Sequence, residues 1–295
     1  MTAVRSILVL LAAVLALVPG AGAMRTVYVT ASAADGSALP VLEAADVKVR
    51  EGDQTCRVVR VEPSRAQLRV AIAVEELLAP DNDVRRAVAN FIDQIRESGA
   101  LALYTVGRRA EKRVDYSSEI VAFAAAINKF PVRAVEPADL VQALHEIARD
   151  QRGLEGRHAV VAVATQTAQV STATAQAVLE QLTAGRAVLY AATVAGSETA
   201  TAPSGATSGG RRLDLESQVS GLERDKVFGD ATRQSGGLHL SSPRTAGLWT
   251  ALERIAAELQ RQYVVSYDSD VRADAPVAIA AARPGITVRG PMRVR

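Results

Sequence analysis

One cysteine, one tryptophan, four phenylalanines and three histidines are all that 295 residues hold of these types. A lone Cys56 rules out any disulfide within the chain and any cysteine cluster for a metal. His145, His158 and His239 lie in no short ligand motif, so a histidine metal triad is not expected. No G-x-S-x-G elbow and no H-E-x-x-H pair occurs, and the glycines between 205 and 210 lack the G-K-S/T ending of a phosphate loop. Charge of one sign is missing too. With 34 basic and 32 acidic residues the net charge is +2, which gives no field to draw in nucleic acid. The longest apolar run, Ile7 to Val18, is 12 residues, against the roughly 20 that a permanent span needs.

What the chain does have is alanine, 55 residues of it, in a composition that is 48% hydrophobic and 22% charged. That balance belongs to one or two globular domains and not to a disordered chain. A core made of small side chains requires helices to approach the sheet closely, because there are few aromatics to fill space.

The first residues read as a targeting segment. Arg5 gives a positive start, the apolar run follows, Pro19-Gly20 breaks it, and Ala21-Gly22-Ala23 supplies small residues for cleavage. A secretory signal over 1–23 is therefore expected, with the mature chain starting near Met24 in the periplasm or outside the cell. No cysteine follows the run closely, so no lipid anchor is expected, and after cleavage no stable membrane span remains.

Residues 24–64 read as a β segment. Val47 to Arg50 and Cys56 to Val61 alternate around the turn Glu51-Gly52-Asp53, which is a hairpin pattern. From 65 to 260 strands and helices alternate. Leu68 to Val74, Leu101 to Val106, His158 to Ala164, Ala187 to Ala192 and Leu238 to Leu240 are the strands, with a short edge strand at Lys112 to Val114. Helices are expected after Asp81 and Asp83 with Gly99 as their stop, over Ser118 to Asn128, from Pro137, before Gly185, near Leu222 to Gln234, and over Leu248 to Gln260. Residues 196–221, rich in Gly, Ser and Thr, read as a flexible insertion. Residues 261–295 hold three more β-like pieces. The expected fold is α/β, a doubly wound and mostly parallel Rossmann-like sheet, plus a small β unit in which 261–295 packs with 24–64.

Ligands of such sheets bind beyond the carboxyl ends of the strands. Glu75, Glu76, Asp81 and Asp83 fall there, near Gln166 and the loop before Pro137. Two readings stay open for the four carboxylates: oxygen ligands or acid–base groups of a divergent hydrolase, or helix caps and solvated loop charges.

Several segments carry a family resemblance. Val27 to Asp35 with Gly36, Leu42, Ala45-Asp46-Val47, Val49 and Glu51-Gly52 form one. Ala231-Thr232-Arg233-Gln234-Ser235-Gly236-Gly237 forms a second, and Arg283-Pro284-Gly285-Ile286-Thr287-Val288-Arg289 a third. The most specific is Glu258-Leu259-Gln260-Arg261-Gln262-Tyr263-Val264-Val265-Ser266-Tyr267, a helix end feeding a Q-Y-x-x-x-Y strand. Together they resemble von Willebrand factor type A-like (vWA) proteins, in particular the exported bacterial VWFA-related family. The resemblance implies a non-enzymatic interaction module with a protein partner in the envelope or extracellular space. A purely structural envelope domain is the other role open to such a chain.

The same resemblance locates a departure. The family's metal-ion-dependent adhesion site begins D-x-S-x-S, where this chain has Glu75-Glu76-Leu77-Leu78-Ala79. The threonine position falls near Ala138, and the later T-D-G becomes Thr165-Gln166-Thr167. Leucine and alanine bring no oxygen donors to an ion that wants near-octahedral oxygen coordination. The expectation is a degenerate apex of Glu75, Glu76, Leu77, Leu78, Ala79, Ala138 and Gln166, with no bound metal, no cofactor and no catalytic residue. Leu77 and Leu78 either meet a partner directly or plug the site. Cys56, unpaired in an oxidising compartment, is a candidate for a link between two copies.

Overall fold

The computed structural model describes residues 23–33, 37, 39, 41–131, 138–167, 171–195, 221–271 and 275–293. Its elements are β1 (Ala23–Ala33), β2 (Val47–Glu51), β3 (Gln54–Pro63), β4 (Leu68–Glu75), α1 (Asn82–Ile95), β5 (Gly99–Val106), β6 (Ala110–Ser117), α2 (Ile120–Asn128), α3 (Leu140–Asp150), β7 (Arg157–Thr165), α4 (Ala175–Gly185) and β8 (Ala187–Val194). After these come α5 (221–234, with a π turn at Val227–Ala231), β9 (His239–Ser242), α6 (Leu248–Gln260), β10 (Gln262–Ser269), β11 (Val277–Ala281) and β12 (Ile286–Arg289).

Two six-stranded sheets result. One has the order β6-β5-β4-β7-β8-β9, parallel throughout except for the edge pair β5–β6. The chain runs outward from β4 to β6, then returns to β7 on β4's other side, so the strand order reverses between β4 and β7. The carboxyl ends of those two strands therefore flank the crevice where ligands of such sheets bind.

Alternation along the central strands divides the core. Val70, Ile72, Val74, Leu101, Leu103, Val161 and Val163 face α1 and α6 through Phe91, Ile92, Leu252 and Ile255. The opposite face is rich in alanine: Ala71, Ala73, Ala102, Ala162, Ala164 and Ala191, among larger residues such as Val160 and Leu189, lie under Leu140, Leu144, Ile147, Val178 and Leu182 of α3 and α4. Small side chains on this face let two helices sit close to the sheet.

The second sheet is antiparallel, in the order β11-β2-β3-β10-β1-β12. Strands from the two ends of the chain interleave, β1 between β10 and β12, and β2 between β11 and β3. The expected fold class is the observed one, including the β unit shared by both termini. The Q-Y-x-x-x-Y residues have structural work in it. Tyr267 donates to Glu51 Oε1 at 2.6 Å, and Glu51, fully buried, also accepts from Arg25 and Ser269.

Some expectations need correction. Gly99 is no left-handed helix stop: α1 passes into the turn Arg96–Ser98, and Gly99 is extended (φ 168°) as the first residue of β5. It is glycine because a Cβ there would lie 1.7 Å from the Leu68 carbonyl oxygen. α3 starts at Leu140 on an Asp139 cap, so its first turn does not include Pro137, which is outside the described residues. The strand expected at Leu238 starts at His239 and runs to Ser242. Cys56 is buried in the core of the antiparallel sheet with Val49, Val265 and Tyr267, so its thiol is not presented on the surface for a link between copies. Burial, then the charge of Glu51, pushes its thiol above the ordinary value. The expected signal segment, except Ala23, and the expected insertion, except Gly221, fall outside the described residues. Ala23 opens β1 opposite Ser269.

Candidate functional site

Glu75 closes β4 at the crevice and is fully buried. Its Oε2 accepts from the Thr165 backbone N–H at 2.6 Å, from Thr165 Oγ1 at 3.0 Å and from Arg224 Nη2 at 2.8 Å. Thr165 is the last residue of β7, so the two strands that flank the crevice are tied at their tips through one carboxylate oxygen. Arg224 comes from α5 and also donates to the Thr165 carbonyl, from Nε at 3.1 Å and from Nη2 at 2.6 Å. Carboxylate and guanidinium are both out of solvent.

Arg224 is the residue missed in the sequence, where it sits in the charged stretch Glu223-Arg224-Asp225-Lys226. A signal was there. Arg224, Val227, Phe228 and Ala231 follow the i, i+3, i+4, i+7 spacing of a buried helical stripe, and all four are buried. An arginine inside such a stripe must find a counter-charge or acceptors.

The residues after Glu75 divide. Leu78, 7% exposed, and Ala79 join the hydrophobic core, whereas Leu77 is 49% exposed. So Leu78 packs inward and Leu77 faces outward. Arg85 fastens this turn by donating to the Ala79 carbonyl at 2.8 Å and the Phe130 carbonyl at 3.3 Å. Glu76 donates its backbone N–H to Val106, and its carboxylate lies 3.8 Å from Arg113, which also holds Glu111 at 2.8 Å and the buried Thr105 hydroxyl at 2.9 Å. Asp81 caps α1 by accepting from Asp83 N at 2.7 Å, and Asp83 pairs with Arg86 on the surface. Each of the four carboxylates therefore has its own local partner. Among the described residues no three His, Cys, Asp or Glu side chains gather as an ion site.

Ala138 is buried beside Asp139, whose carboxylate accepts from Ser171 Oγ at 2.7 Å, Thr172 N at 2.9 Å, Thr172 Oγ1 at 3.0 Å and Gln142 N at 3.0 Å. The Ser171 and Thr172 hydroxyls thus hold the Asp139 carboxylate that caps α3. Gln166 points its amide nitrogen at Ser241 Oγ, 2.9 Å, and Thr193 Oγ1, 3.2 Å. The donor set does not fit a divalent cation: the carboxylate oxygen at the head of β4 already takes three donors, one of them cationic, and the amide of Gln166 faces its neighbours as a donor.

From Arg224 an aromatic contact runs sideways. Its guanidinium carbon lies 5.5 Å from the centre of the Phe228 ring, which stacks on His239 with centroids 5.2 Å apart, and His239 Nε2 lies 2.8 Å from Thr193 Oγ1. His239 is therefore partnered and half-buried. Burial pushes its imidazole below the ordinary 6.5, against the pull of Asp225. The unfolded chain then binds the proton more readily, so stability is full above pH 6.5 and declines as pH falls from there through the lower folded value. His239→Phe keeps the ring stack and removes the titration. Its urea midpoint should change less than the wild type's between neutral and mildly acidic buffer; equal acid sensitivity would assign the slope elsewhere.

No protein-family model matches this chain, and no curated protein matches it by sequence. Solved structures resemble it in shape. The conserved hypothetical protein BatB from Bacteroides thetaiotaomicron is 12% identical with TM-score 0.42, covering 65% of this chain and 98% of that one. A von Willebrand factor type A protein from Catenulispora acidiphila is 8% identical with TM-score 0.44, covering 87% and 75%. The PilB minor pilin from Streptococcus sanguinis is 8% identical with TM-score 0.45, covering 67% and 62%. Likeness at this level carries nothing about function.

Proposed function

We propose that this chain is an exported, non-enzymatic protein-interaction module of the von Willebrand factor type A kind, of the exported bacterial VWFA-related type, and that it meets its protein partner at the degenerate apex without a bridging metal. The signal-like 1–23 segment supports export, and the doubly wound sheet with its interleaved terminal strands supports the module type. The observation that carries the reading is the division of labour at the apex. Glu75, Glu76, Asp81, Asp83 and Asp139 are each engaged by neighbours in the fold, while Leu77 stands half exposed directly after the buried ion pair. An apolar side chain on a turn that Arg85 fastens is preorganised for direct contact.

The test is capture of envelope and secreted proteins on the immobilised mature chain, in EDTA and in Mg²⁺. The same species should be retained equally in both, and Leu77→Asp should weaken its binding about tenfold, an ordinary loss for one apolar contact residue. Retention that needs Mg²⁺, or that ignores Leu77→Asp, overturns the apex assignment.

A further inference from the structure

We infer that Arg224 is this chain's own substitute for a cation at the head of β4: a tethered guanidinium that turns the apex into a closed, protein-only ion pair. Glu75 Oε2 and the Thr165 carbonyl, both acceptors, converge on the same guanidinium, at 2.8 Å and 2.6 Å from Nη2, and Nε reaches the carbonyl again at 3.1 Å. A planar fork of N–H donors suits two acceptors presented side by side, whereas a small divalent ion needs a shell of about six oxygens. The Phe228 ring, 5.5 Å from the guanidinium carbon, shields one side of it.

The substitution has a functional consequence. An ion site empties with chelator or dilution, but an arginine stays charged at any pH the fold survives and cannot leave. The tips of β4 and β7 are thereby fixed to α5 when the chain folds, and no cation concentration sets their geometry. Glu75 Oε2, taken by three donors from Thr165 and Arg224, is committed to holding the fold. Arg224 is a positioning residue. This holds whether or not Leu77 contacts a partner, so neither idea stands or falls with the other.

The test is a mutant cycle on the full mature chain with Glu75→Gln, Arg224→Met and the double replacement, read by urea unfolding, with a cation titration alongside. Each single change should lower the folding equilibrium strongly, because it strands a buried charge. The double replacement should recover much of the loss, with a coupling of about tenfold or more. The wild-type unfolding midpoint should be the same in EDTA and in millimolar Mg²⁺ or Mn²⁺. If Arg224→Met yields no soluble protein while the double variant does, that supports the pair as well. If neither is soluble, Arg224→Lys decides: it retains the charge and loses the fork, and it should fold with a lower midpoint and still ignore the divalent ions. Additive single effects, or a wild-type or Arg224→Lys midpoint that rises with Mg²⁺ or Mn²⁺, overturn the inference.

Discussion

Replacing Arg157 by methionine should lower the free energy of unfolding by about 3 kcal/mol, because its bonds come from a charged donor worth roughly 1.5–3 kcal/mol each, offset by the relief of burying one cation fewer. Arg157 opens β7 and is buried where the two sheets meet. Its Nε donates to the Ala66 carbonyl at 3.0 Å, and its Nη1 donates to the Leu259 carbonyl at 2.9 Å and to Gln262 Oε1 at 2.7 Å. Those acceptors belong to the end of α6, the start of β10 and the link from β3 to β4, so one side chain joins the antiparallel sheet to the parallel one. Burial lowers the pKa of this guanidinium, with Tyr28 and Tyr190 pulling the other way. Methionine fills similar volume and leaves three acceptors without their donor. Lysine restores the charge but has no planar fork for acceptors so arranged, so Arg157→Lys should recover only part of the loss. The measurement is a urea midpoint at constant slope. An unchanged midpoint for Arg157→Met would show that these three bonds add nothing to the stability of the junction.

Gly99→Ala should be at least as damaging, a loss of about 4 kcal/mol or more, in the range reserved for gross steric conflict. The added Cβ would fall 1.7 Å from the Leu68 carbonyl oxygen and 2.6 Å from its carbon. Both are backbone atoms of the first residue pair between β4 and β5, so no side chain can turn aside and the strands themselves must part. The effect comes from close approach, since the backbone here is extended and open to any residue. Gly185→Ala is the control: a Cβ at the end of α4 would meet ordinary contacts of 3.5 Å and 3.6 Å, and alanine suits a helix, so stability should shift by no more than about 1 kcal/mol. Folding is followed by circular dichroism and urea titration. A well-folded Gly99→Ala with a near-native midpoint would mean that the pair has room to open.

The elements of the α/β sheet were legible because each is amphipathic or fully apolar at its own period. Leu68 to Val74 could only be a strand covered on both faces, and Leu248, Leu252, Ile255 and Leu259 only one face of a helix. Edges were less legible. β6 runs from Ala110 to Ser117 through Glu111, Lys112, Arg113 and Asp115, because an edge strand exposes side chains that no core selects. At the apex, the loss of oxygen donors was visible in Leu77, Leu78 and Ala79, but the different fates of the two leucines were not. Adjacent residues in a turn point in different directions, and only the packed structure sends Leu78 inward and leaves Leu77 outside.

By itself the sequence determined the α/β class, the position of the crevice after β4, and the shortage of ligating side chains there. All of these follow from local composition and period, which each segment carries with it. The tertiary structure alone decided the partners of the charged groups. Glu75 and Arg224 are separated by 149 positions, Arg157 and Gln262 by 105, and Glu51 and Tyr267 by 216. Nothing local links such residues. A buried charge announces only that it needs a counterpart, because burying it alone costs too much, and which counterpart it finds is settled when the two ends of the chain interleave in one sheet and α5 closes over the other.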